Sequence, residues 1–285
     1  MLVVIRGAGD LATGIALRLH RAGYQIVMTD LPAPTSIRRT VCFSEAIRLG
    51  EMTVEDISAR KAETPEEALT LAQSGIVAVL ADPTGACIPT LRPGAMVDAI
   101  LAKKNLGTAL TDAPVVIGVG PGFTVGIDCH AAVETMRGHT LGRALYTGSP
   151  LPNTGIPGLI GGRSGERVLR APADGIFEPR MEIGQLVQEG EIAATVNGKP
   201  MRCTLTGCLR GLLQGLSLIH IFGVISALLL AQTAGPTALD RLIHIAPAAD
   251  HQTDKRAERQ AGGHSLQYKT GSFIHGELLL IRCGI

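Results

Sequence analysis

The chain has no tryptophan, and only 3 tyrosines and 5 phenylalanines in 285 residues. So few rings argue against an aromatic platform for stacking bases or sugars, and they leave Ala, Val, Leu and Ile to fill the core. Charge of one sign is missing too. The net charge is +1, and no basic stripe of the kind that binds a duplex is visible, so nucleic acid is not expected as a partner. The 6 cysteines include no Cys-x-x-Cys pair, which excludes a zinc knuckle and a disulfide framework and suits reduced thiols in a cytoplasmic protein. No basic and apolar leader precedes the first apolar run, so the amino terminus is expected to enter the fold directly. One stretch, 211–231, carries no Lys, Arg, Asp or Glu. A hydropathy scan would flag it, but Gln214, Ser217, His220, Ser226 and its glycines weaken a membrane reading, and no membrane partner is expected.

What is present is organised around the opening. Leu2-Val3-Val4-Ile5-Arg6 reads as a buried parallel strand that breaks into Gly7-Ala8-Gly9-Asp10-Leu11-Ala12 as a helical pattern begins. In a nucleotide-binding turn Gly7 permits the tight bend, Gly9 lets the backbone approach a pyrophosphate, and Ala12 is the small residue where helix meets strand. The phosphate then faces the amide hydrogens and positive end of the helix, with Asp10 in its first turn. Leu11, Ile15 and Leu19 recur at helical spacing, Gly23 stops the helix, and Gln25 to Thr29 form a second strand. Asp30, at that strand's carboxyl end, stands where a ribose-binding acid belongs. A βαβ unit that uses the same glycines only for packing is the alternative.

Further along, Arg38-Arg39 could grip a phosphate or carboxylate, or simply face solvent. Thr64-Pro65-Glu66-Glu67 makes a capping box for a helix that runs to Gly75. Ile76 to Ala81 is an apolar strand ending in Asp82-Pro83-Thr84-Gly85, and Met96 to Ile100 is another that carries Asp98. A second glycine-rich landmark is Ala113 to Phe123, a buried strand running into Gly-x-Gly-Pro-Gly. There Gly118, Gly120 and Gly122 bring bare backbone close to a ligand or to another segment. Asp128, His130, Glu134 and His139 resemble metal ligands, but Cys129 to Thr135 and Leu141 to Tyr146 read as a β-hairpin. Residues four apart in a strand lie about 13 Å from each other, so no metal site is assigned.

The pattern gives an α/β fold. Residues 1–147 are read as a Rossmann-like parallel-sheet domain that binds a nucleotide, and 148–165 as a Gly/Pro/Asn-rich linker. Residues 166–215 are read as a truncated β barrel-sandwich module of biotinyl/lipoyl type. Its basis is a short repeat that aligns Arg170-Ala171-Pro172-Ala173-Asp174-Gly175 with Arg202-Cys203-Thr204-Leu205-Thr206-Gly207 around a hairpin at Asn197-Gly198. Lys199 sits beside Pro200 in a short hairpin, which argues against a modified carrier lysine. Residues 216–285 change character. They hold five of the 8 histidines, and Leu216-Ser217-Leu218-Ile219-His220-Ile221 resembles translated adapter DNA, so this tail reads as a chimeric or frameshifted segment.

From Met1 to about Gly215 the chain resembles the YqeB family, accessory proteins of the selenium-dependent molybdenum hydroxylase system. The matching stretches are Val4-Ile5-Arg6-Gly7-Ala8-Gly9-Asp10-Leu11-Ala12-Thr13-Gly14, Arg38-Arg39-Thr40-Val41, Val97-Asp98-Ala99-Ile100, Ile117-Gly118-Val119-Gly120-Pro121-Gly122-Phe123, Glu134-Thr135-Met136-Arg137-Gly138-His139 and the Arg170-Ala171-Pro172 repeat. The resemblance implies a role in maturing or equipping a molybdenum hydroxylase, with that enzyme or its maturation proteins as partners. It supplies no catalytic residue. Three classes stay open: a maturation factor binding a nucleotide or molybdopterin nucleotide, an NAD(P)-dependent oxidoreductase using His130, His139 or Asp82 for proton transfer, and a non-enzymatic docking protein.

Overall fold

The computed structural model describes residues 1–215, 218–219 and 225–231. Strand β1 (Leu2–Arg6) runs into helix α1 (Asp10–Arg21), and the chain returns as β2 (Gln25–Thr29). Then come α2 (Glu45–Leu49), β3 (Glu51–Val54), β4 (Ile57–Ala62), α3 (Pro65–Gln73), β5 (Val77–Leu80), α4 (Ile88–Leu91), β6 (Ala95–Asp98), β7 (Val116–Val119), β8 (Ala131–Val133) and β9 (Ala144–Leu145). These nine strands form one sheet in the order β3-β4-β5-β2-β1-β6-β7-β8-β9. Pairing is parallel from β4 through β8, and β3 and β9 are antiparallel to their neighbours.

The period-2 alternation of strands explains how the sheet is covered. Val3 and Ile5 of β1 pack with Ala12, Ala16 and Leu17 of α1 and with Ala46 and Ile47 of α2. Leu2 and Val4 pack on the opposite face, with Ala68 and Ala72 of α3 and with Ile88 and Leu91 of α4. The buried stripe of α1 is thus the small-residue set Ala12, Thr13 and Ala16 with Leu17, whereas Leu11 is 43% exposed. Small side chains let helix and strand approach closely. Helix α3 has the expected cap, with Thr64 Oγ1 accepting from the Glu67 amide at 3.2 Å. The reciprocal bond is shifted by one residue, because the Glu67 carboxylate takes the amide of Glu63 at 2.8 Å.

Two features of the expected fold are corrected. The first domain is not a parallel Rossmann-like sheet but a large mixed sheet with few helices. Glu55, at φ +55, turns the chain so that β3 and β4 pair antiparallel at one edge, and the β8–β9 hairpin closes the other. The crossover from β6 to β7 carries only a 3-10 turn at Leu110–Asp112, because the segment Lys103-Lys104-Asn105-Leu106-Gly107 has no helical apolar period.

The second correction concerns the carboxyl-terminal module, where the described residues give no biotinyl- or lipoyl-type barrel-sandwich. Strands β10 (Val168–Arg170), β11 (Gly175–Pro179), β12 (Leu186–Val187), β13 (Ile192–Val196), β14 (Lys199–Arg202), β15 (Gly207–Leu212), β16 (Leu218–Ile219) and β17 (Ile225–Ala231) make two sheets, ordered β10-β17-β15-β12 and β14-β13-β11-β16. The apolar run of β17 pairs antiparallel with both β15 and β10, so the two halves of the pseudo-repeat do not close on each other. Asn197 (φ +48) and Gly198 (φ +75) form the tight turn joining β13 to β14, as their pairing implies. Phe177, Val196, Leu209, Leu212 and Leu229 centre this core, and Ile37 from the first sheet's side packs against it. Most of the tail read as chimeric lies outside the described residues. No helix among the described residues is long and apolar enough to cross a membrane.

Candidate functional site

The first glycine turn is built as a close backbone contact. Gly7 has φ +94, and a Cβ there would lie 2.8 Å from the carbonyl oxygen of Ala99. Its amide donates to Thr29 O at 2.8 Å, which ties the turn to β2. Gly9 caps α1 with an ordinary φ of −68°, and its carbonyl accepts from Thr13 N at 2.8 Å. A Cβ on Gly9 would face only Ser36 Oγ, at 3.4 Å, so the outer side of this turn is open where that of Gly7 is closed.

Asp30 is bound into the same turn. Its Oδ2 accepts from the Ala8 amide at 2.8 Å and its Oδ1 from the Leu31 amide at 2.7 Å. Burial raises its carboxyl above the ordinary 3.8, and the two amide bonds oppose that shift without cancelling it. Asp10, at the start of α1, forms an ion pair with Arg38. Gly7, Gly9, Asp10, Ala12 and Asp30 are therefore brought together at the carboxyl end of β1.

Gly118, Gly120 and Gly122 are not part of that cluster. A Cβ on Gly118 would meet the Phe123 ring at 2.4 Å, one on Gly120 would meet Thr135 Oγ1 at 2.9 Å, and one on Gly122 would meet Lys104 Cα at 2.5 Å. Packing of chain on chain accounts for all three. The two glycine landmarks share a neighbour, the loop after β6: Gly7 rests on Ala99 and Ile100, and Gly120 on Leu101. Leu101 (φ +61) and Lys103 (φ +65) hold left-handed backbone in this loop, a strained conformation at the edge where parallel sheets place ligands.

Arg38, paired with Asp10 at the amino end of α1, has further arginines in its surroundings. A Cβ on Gly211 would lie 3.5 Å from Arg38 Cγ, which places Arg38 against the segment that carries Arg210. A Cβ on Gly158 would lie 3.0 Å from Arg137 Cδ, and Arg167 Nη2 donates to the carbonyl of the same Gly158 at 3.0 Å. Burial, then the charges of Arg210 and Arg137, lower the Arg38 pKa, and burial, then Arg137 and Arg210, lower that of Arg167. Arg167 is 6% exposed, and its Nε has no hydrogen-bond partner. Like charges held together around an unsatisfied nitrogen favour an anion. Arg38 pairs with Asp10, and Glu166 pairs with Arg163.

Arg39 is engaged differently. Its Nε donates to Leu212 O at 2.8 Å and its Nη1 to Gln214 Oε1 at 2.9 Å, so it straps the β module to the first sheet. Of the expected proton-transfer groups, His139 is exposed, and His130 and Asp82 serve structure. His130 Nδ1 accepts from the Val116 amide at 3.0 Å. Asp82 accepts from the amides of Thr84, Gly85 and Cys87; burial would raise its carboxyl, but these bonds hold it below the usual range. Glu134, 3% exposed, accepts from the amides of Met136 and Leu151. Arg137, Arg167 and Arg210 were not legible as a group, since they come from segments far apart in sequence. Arg6 had a visible signal, a charge inside an apolar strand.

Fold and site together define an α/β protein with a glycine turn whose first helix starts at an Asp10–Arg38 ion pair. No family model matches the chain. It is 49% identical over 224 residues to the uncharacterized protein YqeB of Escherichia coli (strain K12), which supports the YqeB resemblance. That match covers 78% of this chain and 41% of YqeB, so the chain spans about two-fifths of its relative's length. Among solved structures, a succinylglutamate desuccinylase/aspartoacylase from Rhodobacter sphaeroides aligns at 13% identity and TM-score 0.23, over 53% of this chain and 62% of that one. An aspartoacylase family protein from Mesorhizobium loti aligns at 13% identity and TM-score 0.26, over 81% and 86%. At such TM-scores neither carries an argument about this chain.

Proposed function

We propose that this chain is an accessory factor that binds a dinucleotide, of the NAD(P) or molybdopterin-nucleotide type, and serves in equipping a molybdenum hydroxylase in the cytoplasm. The observation that supports this reading is the open face of Gly9 at the start of α1, with Arg38 paired to Asp10 there and the charges of Arg210 and Arg137 acting on Arg38. A pyrophosphate seated there meets helix amides on one side and guanidinium donors on the other. Nucleotide binding without redox chemistry is favoured over an oxidoreductase, because His130 and Asp82 are already committed to backbone amides. The resemblance to YqeB supports the assignment to the molybdenum hydroxylase system, and that enzyme or its maturation proteins are the proposed partners.

The test is a thermal-shift series on the full chain with NAD, NADP, CTP and molybdopterin cytosine dinucleotide. A ligand at a hundred times its Kd adds about 2.7 kcal/mol of stability. A clear rise in Tm with a dinucleotide is expected, and it should shrink when Arg167→Gln removes the buried guanidinium. No shift with any of the four would reject the reading.

A further inference from the structure

The largest fully buried side chain among the described residues is Arg6, at 1% exposure. It is the last residue of β1, and alternation places it on the α3/α4 face, across the sheet from α1. Its Nη1 donates to Thr108 Oγ1 at 2.6 Å, and Thr108 in turn donates to Asp98 Oδ2 at 2.6 Å. Nη1 also lies 3.6 Å from Asp98 Oδ2, while Nη2 reaches the carbonyls of Leu106 and Pro83 at 3.2 and 3.4 Å. The remaining nitrogen, Nε, is buried with no partner.

Arg6 lines a cavity of about 340 Å³, together with Thr84, Gly85, Arg92, Thr111 and Asp112 among others. A buried charged donor without an acceptor is costly, and the cavity is large enough for a small ligand. Gly85 lies beside Arg6 Nε: its φ is +78, and a Cβ there would stand 2.8 Å from Ile88 Cδ1 and 3.5 Å from Arg6 Nε. Arg92 brings a second guanidinium to the rim and holds left-handed backbone at φ +45. The one carboxylate in the lining, Asp112, is engaged with the Ala109 amide at 2.9 Å.

The geometry points to a second anion site, distinct from the glycine turn, in which Arg6 Nε and the Arg92 guanidinium hold the carboxylate or phosphoryl group of a small molecule. Arg6 is fixed from behind by Asp98 and Thr108, so its Nε is presented without further ordering. Thr111, also in the lining, supplies a hydroxyl for a remaining oxygen.

Titration calorimetry on the full chain with inorganic phosphate and with malonate tests this. At least one probe should bind with a component that depends on Arg92, and the probe that shows it tells whether the group is a phosphoryl or a carboxylate. Arg6→Lys keeps the charge but lacks Nε, and it should weaken binding at least about tenfold. Arg92→Ala, at an exposed position, should weaken it about three- to tenfold with Tm unchanged, and it decides the matter if Arg6→Lys does not fold. Lys199→Ala, exposed in the β13–β14 hairpin, should leave this binding as it is. Absence of binding by both probes at about 10 mM, unchanged affinity in Arg92→Ala, or equal loss in Lys199→Ala would overturn the assignment.

Discussion

Replacing Arg39 with alanine should loosen the β module from the large sheet. The side chain is 20% exposed and donates to Leu212 O at 2.8 Å and to Gln214 Oε1 at 2.9 Å, with Glu45 3.7 Å away. Glu45 keeps its second partner, Arg48, at 2.8 Å, so the loss falls on the strap itself. Two hydrogen bonds from a charged donor, one of them to a buried carbonyl, amount to about 2–4 kcal/mol. The opening that exposes the end of β15 then becomes easier by about 30- to 1,000-fold. The reporter is the Leu212 amide, which donates to Ile37 O at 2.7 Å and so bridges the same contact. Hydrogen exchange at that amide should accelerate by this factor, while amides in β1 and β2 keep their protection. Exchange at Leu212 within about threefold of wild type would refute the strap.

Further perturbations separate the roles of other groups. Gly122→Ala puts a Cβ 2.5 Å from the Lys104 backbone at φ +108, and should cost about 2–4 kcal/mol in urea denaturation. Gly126→Ala, with φ +84 but nothing within 4 Å, should cost only about 1 kcal/mol. Burial pushes the Cys42 thiol up to about 11 and that of Cys87 up to about 12, so neither should react with a thiol reagent at mildly alkaline pH until the protein unfolds. The Asp30 carboxyl titrates above 3.8 in the fold, so the unfolded chain releases that proton first. Its contribution to stability is full below 3.8 and is lost as pH rises through the folded value; Asp30→Asn should flatten that part of the stability curve.

The sequence discloses what local pattern controls. The β-branched run of β1 and the segment Gln25–Thr29 read directly as strands, and Pro65–Gln73 announces itself through its cap. Asn197-Gly198 marks its own hairpin because few other pairs accept two positive φ angles. The edges of the sheet were hidden: Glu51–Val54 and Ile57–Ala62 are short and half polar, and Glu55 is not a residue that advertises a left-handed turn. The second glycine landmark was legible as a close approach, but not as an approach to Phe123, Thr135 and Lys104 instead of a ligand. The arginine set is invisible to any window, since residues 38, 137, 167 and 210 meet only when the β module docks. Arg6 could have been singled out, because a charge is costly to bury in an apolar parallel strand and demands partners such as Asp98 and Thr108.

The central claim is most directly tested by calorimetric titration of the full chain with NADP and with molybdopterin cytosine dinucleotide, in wild type and in Gly9→Val. Gly9 has an ordinary φ of −68° and only Ser36 Oγ near its added Cβ, so the variant should fold while its side chain blocks the pyrophosphate. One equivalent of dinucleotide bound by wild type and none by Gly9→Val is the predicted result. Binding by neither protein at millimolar ligand, or equal binding by both, would contradict the account and leave the glycine turn as a packing device.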